Sequence, residues 1–107
     1  MPLSSVTAGL WRLMNDFEPF GFGNAEPVFA TQSVEVMDTR LVGKDGKHLK
    51  LKVRQDTATF DAIAFGFGTL QPQLTHGSSI DIAYAIDMNI WNGRKSLQLK
   101  IKDIRVL

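Results

Sequence analysis

The chain has 107 residues, 44% of them hydrophobic and 21% charged. This is the profile of one globular domain with one modest core, neither disordered nor fibrous. It has no cysteine, which removes disulfides, thiolate metal sites and thiol nucleophiles and suits a reducing, cytoplasmic setting; no apolar run approaches the ~20 residues of a membrane helix, and Met1 to Leu10 lacks the basic and apolar regions of a signal peptide. The net charge is only +1, but from Met1 to Asp38 Arg12 stands alone against Asp16, Glu18, Glu26, Glu35 and Asp38, while eleven cations face six acids from Arg40 onward, an uneven distribution that predicts a local basic patch.

In chain order, Val6, Leu10, Leu13, Met14 and Phe17 recur at helical spacing. They predict a short amphipathic helix over 3–16, capped near Ser4 or Ser5 and weakened by Gly9. Residues 17–29 hold prolines, glycines and the aromatic rings of Phe17, Phe20, Phe22 and Phe29. They read as an irregular connector pinned to a surface. Residues 1–29 are therefore taken as helix plus connector, the tail of a preceding subdomain, and 30–107 as the main domain.

The pattern from Ala30 on is β. Residues 32–42 form a long strand whose phase changes near Asp38, the mark of a bulge or bend. Gly43-Lys44-Asp45-Gly46-Lys47 is a turn. His48 to Arg54 then alternates strictly, with Leu49, Leu51 and Val53 on one face and His48, Lys50, Lys52 and Arg54 on the other. By itself such a strand favours a solvated basic face, since antiparallel sheets often turn one side to water. A third strand runs from Ala58 to Phe65, where Ala62 and Ala64 allow close approach. Gly66-Phe67-Gly68 breaks it, and residues 69–76 make about one helical turn around Pro72. The fourth strand, Ser79 to Met88, carries Ile80, Ile82, Tyr84, Ile86 and Met88 on one face. A loop over 89–94 with an Asn-Gly turn leads to a fifth strand, Lys95 to Val106. Its Leu97, Leu99 and Ile101 oppose Gln98, Lys100 and Lys102. The fold class is all-β. Five evenly spaced strands, a long bent first strand and an insertion after the third predict an OB-fold barrel, with an SH3-like barrel as the competing architecture.

Catalytic chemistry is poorly supplied. His48 and His76 lie far apart without flanking ligands and read as surface residues. Ser78 and Ser79 have no local base, and Asp61, Asp81, Asp87 and Asp103 fall in separate strands. Gly21-Phe22-Gly23 lacks the preceding strand, following helix and third glycine of a phosphate loop. The basic and aromatic residues form a better-supported set. Lys50, Lys52 and Arg54, with Lys100 and Lys102, would track phosphates. Arg94 and Lys95 flank Trp91 as a clamp with a stacking plane, and Lys44, Lys47 and His48 border the first loop. Asn89 and Gln98 would bond base edges or sugar, or order the hairpin. These two loops and the face between the second and third strands are the usual ligand groove of an OB-fold, and stacking on an aromatic contributes about 1–3 kcal/mol per base without sequence preference. Phe67 is a further candidate plane, and Phe65 reads more as core than as a plane.

The segments 18–29, His48-Leu49-Lys50-Leu51, Ala62-Ile63-Ala64-Phe65-Gly66, Asn89-Ile90-Trp91-Asn92-Gly93 and Leu97-Gln98-Leu99 resemble, in order and spacing, the C-terminal part of the RecJ family, the bacterial single-strand-specific 5′→3′ DNA exonucleases. Ala25 departs from the family's usual proline. The family's Asp-His-His and Gly-Gly-His motifs are absent from this stretch. The resemblance implies an OB module that grips single-stranded DNA and guides it to a catalytic core lying elsewhere. It implies manganese or magnesium in that core and no cofactor or hydrolysis in this piece alone, with a role in DNA repair and recombination. It also implies three partners: single-stranded DNA, the catalytic domains of the same protein and a single-strand-binding protein. The alternative is a protein-interaction module that docks a catalytic or partner subunit through Phe17, Phe20, Phe22 and Phe29 without touching nucleic acid.

Overall fold

A computed structural model describes residues 1–15 and 26–107, with the side chain of Asn15 excepted. Five strands, β1 (Phe29–Val42), β2 (His48–Gln55), β3 (Ala58–Ala64), β4 (Ser79–Trp91) and β5 (Arg94–Val106), follow one helix, α1 (Ala8–Asn15). They close into a barrel in the order β1-β2-β3-β5-β4. All neighbours are antiparallel except β3 and β5, which pair in parallel through Asp61 with Gln98, Ala62 with Leu99 and Ile63 with Lys100. With a 3-10 turn at Gly68–Gln73 inserted after β3, this is the OB-fold, and the SH3-like alternative falls.

β1 closes the barrel by belonging to two pairings. Its first half lies against β4 from Phe29 to Glu35 and its second half against β2 from Glu35 to Val42. The bend expected near Asp38 is a register shift between Val36 and Asp38. A second shift, between Thr31 and Val34, contains Ser33 at φ 58. Two bulges let one strand curl around a small barrel. β1 also starts earlier than the pattern predicts, at Phe29.

The alternation in β2 sorts as expected. Leu49, Leu51 and Val53 are buried, while Lys52 and Arg54 are exposed and His48 and Lys50 half-buried. Burying each such aliphatic side chain contributes about 1.5–3 kcal/mol. Val34, Val36, Ile80, Ile82, Ile86, Leu99 and Ile101 complete the core with Ala62 and Ala64. Met88 is only half-buried, at the point where β4 runs on into the exposed residues Asn89, Ile90 and Trp91, while Ala85 is buried in addition to the predicted face.

The predicted helix over 3–16 divides in two. Leu3–Ser5 is a 3-10 turn, and α1 begins at Ala8. Its cap is Thr7 and not Ser4 or Ser5: the Leu10 N–H donates to Thr7 Oγ1 at 3.1 Å. Both pieces pack on the barrel: Leu3 (0% exposed) and Val6 (4%) sit in the core cluster. The Leu3 N–H donates to Gln55 Oε1 at 2.9 Å, and Gln55 Nε2 donates to the Gln32 carbonyl at 2.9 Å. Leu10, Trp11 and Met14 pack against the core, whereas Leu13 is exposed. Of the expected docking strip, Phe17, Phe20 and Phe22 lie outside the described residues; Phe29 is half-buried in β1 against Tyr84.

Candidate nucleic-acid interface

The stretch 89–94, expected to be a loop, is the end of a hairpin. β4 and β5 stay paired through Asn89–Ser96, Ile90–Lys95 and Trp91–Arg94. Only Asn92 and Gly93 turn, at φ 51 and 76. Two residues with positive φ between twisted strands make a type I′ turn, for which Asn-Gly is well suited. The difference affects the site. Trp91, Arg94 and Lys95 occupy ladder positions on a strand pair and are not carried on a mobile loop. Alternation puts Asp87, Asn89 and Trp91 on one face of the hairpin, opposite Gln98, Ser96 and Arg94 in turn.

That hairpin and β2 border a groove of about 540 Å³, lined by Lys50, Asn89, Trp91, Arg94, Lys95 and Ser96. Five of these were singled out from sequence; Ser96 was not, and its only signal is its register opposite Asn89. Trp91 is 73% exposed, so its ring is open to a planar ligand instead of packed on the barrel end. No ion pair within 4.0 Å engages Lys50, Arg94 or Lys95 among the described residues. The groove therefore offers cationic groups, one open aromatic plane and short polar side chains, a set suited to a phosphate-bearing strand with stackable bases.

The other expected contacts sit elsewhere. Arg54 is bound to Glu35 at 2.8 Å. Lys100 and Lys102 share Glu26, at 3.3 and 3.8 Å. Such exposed pairs are each worth roughly 0–1 kcal/mol, so an arriving phosphate competes with them on near-even terms. Gln98 lies in register between Asp61 and Asp87. Lys44 and Lys47 are exposed on the turn between β1 and β2, which is fastened by the Gly68 N–H donating to the Lys47 carbonyl at 2.9 Å.

His48 is more structural than its surface reading suggested. Its Nδ1 accepts the Gly66 N–H at 2.9 Å, and its ring meets Phe65 edge-on at 5.2 Å. It also covers Gly43, where a Cβ would come within 2.6 Å of its Cδ2. Phe65 is 60% exposed, not core. It follows the last paired residue of β3, where strand alternation no longer dictates burial. Phe67 is half-buried and packs on the core.

Among the described residues, the two perturbed titrations lie outside the groove. The Asp81 carboxyl is held below its ordinary value, first by the Ser33 N–H and then by Arg105. Burial pushes the Tyr84 hydroxyl up, opposed by its hydrogen bond with Thr31. Among the described residues no group of three or more His, Asp or Glu is placed to hold a metal ion. No helix among them is long and apolar enough to cross a membrane.

A family model described as the RecJ OB domain matches residues 1–103. The single-stranded-DNA-specific exonuclease RecJ of Bacillus subtilis is 36% identical over 93 residues, covering 87% of this chain and 12% of its own. The Escherichia coli enzyme of the same name is 32% identical over 107 residues, covering 96% of this chain and 18% of its own. The chain thus spans under a fifth of the length of these relatives. Among solved structures, RecJ of Thermus thermophilus in complex with Mn2+ superposes with a TM-score of 0.66 at 25% identity, over 90% of this chain and 13% of that one. The mitochondrial single-stranded DNA binding protein of Saccharomyces cerevisiae, at TM-score 0.59 and 14% identity over 78% of this chain and 97% of its own, shares the fold. On the closed OB barrel and the near-complete match of the family model, the chain belongs to the RecJ OB-domain family.

Proposed function

We propose that this domain is the single-strand-binding module of a RecJ-type 5′→3′ exonuclease acting in DNA repair and recombination. It holds the strand in the groove between β2 and the β4–β5 hairpin and guides it toward catalytic domains beyond this segment. On this reading, divalent-metal chemistry belongs to those domains. The observation that carries the reading is the open Trp91 ring on a paired hairpin, beside Lys50, Arg94 and Lys95, none of which is held in an ion pair among the described residues. Bases stack on the indole while the cations meet phosphates, which favours an unpaired strand over a duplex whose bases are already stacked.

Titration of a fluorescent oligothymidylate at several salt concentrations tests this. Affinity is expected to fall with salt by a logarithmic slope of about −0.7 per phosphate contact, and duplex DNA to bind more weakly. Absence of binding at low salt, or equal binding of duplex, overturns the groove reading.

A second reading rests on Leu13 (54% exposed) and Val28 (55%), apolar side chains on either side of residues 16–25. Under it, this domain docks a protein surface. Association of the isolated chain that grows with concentration in sedimentation, without oligonucleotide binding, would favour it.

A further inference from the structure

Strand register exposes a feature that sequence alternation hides. Lys52 of β2 stands between two acids: Asp38 of β1 is its partner on one side and Asp61 of β3 on the other. The row continues from Asp61 to Gln98 of β5 and from Gln98 to Asp87 of β4. One rung away, Lys50 has Arg40 on one side and Ile63 on the other. So the basic face of β2 is not uniform. Arg54 is occupied by Glu35, Lys52 is flanked by carboxylates, and Lys50 keeps cationic and apolar neighbours.

Asp38, Arg40, Lys50, Leu51, Lys52 and Asp61 also line one shallow depression, and Lys50 is the wall it shares with the Trp91 groove. Asp38 and Asp61 are exposed, and neither closes an ion pair within 4.0 Å among the described residues. Their charge is therefore felt by anything lying on the outer face of β2. A phosphodiester running along Lys50, Lys52 and Arg54 would pass between two carboxylates; one crossing at Lys50 toward Trp91 and Arg94 would avoid them.

Resting on the single-strand-binding reading above, we propose that Asp38 and Asp61 are specificity-determining residues that repel the DNA backbone from the middle of β2, so that a strand crosses the barrel at Lys50 and does not track along β2. Their contribution is repulsive, and removing them strengthens binding. At the spacing of neighbouring strands, one like-charge contact near the surface corresponds to roughly a threefold change in affinity at low salt.

The test compares two isosteric charge removals. Asp61→Asn tightens oligothymidylate binding about threefold at low salt, and Asp38→Asn/Asp61→Asn tightens it further with a steeper salt slope. Asp56→Asn makes the same change in net charge on the β2–β3 turn, at φ 53, which asparagine tolerates; it leaves affinity within about 1.5-fold. In addition, Lys52→Ala weakens binding more in the Asp38→Asn/Asp61→Asn background than in the native chain, because Lys52 then becomes usable by phosphate. If Asp61→Asn and Asp56→Asn shift affinity equally, the inference falls while the groove reading stands. A native chain that does not bind single strands overturns both. Near-UV circular dichroism confirms that each variant is folded, and Asp61→Ser repeats the charge removal with a smaller side chain.

Discussion

Trp91 and Tyr84 are large aromatics on one strand, 73% and 0% exposed, and the chemistry of each follows from that difference. The Tyr84 hydroxyl lies 2.7 Å from Thr31 Oγ1, which also donates to the Met1 carbonyl. Tyr84→Phe removes a buried hydrogen bond and is expected to lower stability by about 1 kcal/mol in urea unfolding, with oligonucleotide affinity unchanged. Trp91→Ala reverses the pattern: affinity falls by roughly 1–3 kcal/mol, the value of one stacked base, with the unfolding midpoint unmoved. If both substitutions moved stability alone, Trp91 would be a packing residue. Asp81 gives a pH prediction. Its carboxyl accepts the Ser33 N–H at 2.9 Å and pairs with Arg105, so its folded value lies below the ordinary 3.8. A depressed carboxylate contributes stability above its unfolded value and loses it as pH falls through the folded one. Acid unfolding of the native chain should therefore steepen below about pH 4, and Asp81→Asn should flatten that limb. An unchanged limb would show that the Ser33 bulge is held by other contacts. These pairings were invisible in the sequence, where Asp81 was one of four scattered aspartates.

At the scale of elements, legibility followed local periodicity. The inward set of β2 and the bend of β1 were both readable, since alternation and a phase change are written within a few residues. The β4–β5 hairpin was read too short because Asn89 to Lys95 is exposed throughout, Ile90 and Trp91 included, and burial alternation fades once strands leave the barrel. The helix was read too long because Val6 fits a helical period and a barrel plug equally well. Turn chemistry carries the hairpin's prediction. Gly93→Ala forces a Cβ onto φ 76, a cost of about 1–2 kcal/mol. The tip is expected to fray, with faster amide exchange over 88–97 and weaker oligonucleotide binding. Exchange in β2 and β3 should stay slow. Gly68 is more tightly constrained, since a Cβ there would lie 2.1 Å from the Gly46 carbonyl oxygen. Gly68→Ala must push the 3-10 turn away from the β1–β2 turn, breaking the Gly68–Lys47 hydrogen bond.

For the molecule as a whole, closure depends on contacts far apart in sequence. The parallel β3–β5 pairing has no local signal, and neither has the charge register that places Asp38 and Asp61 beside Lys52. The basic patch was legible as composition, but which cations remain available was not, because ion pairs such as Glu26 with Lys100 join opposite ends of the chain. Leu3 shows the same principle in the core. It is fully buried, and its N–H donates to the side-chain Oε1 of Gln55, 52 positions away; it plugs the barrel end beside the β2–β3 turn. Leu3→Ala leaves a cavity that strands on a closed barrel cannot collapse to fill, since each is held by two neighbours. The expected cost is about 2–5 kcal/mol in urea unfolding at an unchanged m-value. None of the groove-lining residues joins the network of Met1, Thr31, Gln32 and Gln55 that surrounds the plug. Oligonucleotide affinity measured well below the unfolding midpoint should therefore match that of the native chain. A stability loss under about 1 kcal/mol would mean that residues 1–6 rest on a barrel already complete without them. A parallel loss of affinity in folded protein would mean that the plug and the groove are mechanically coupled through β2.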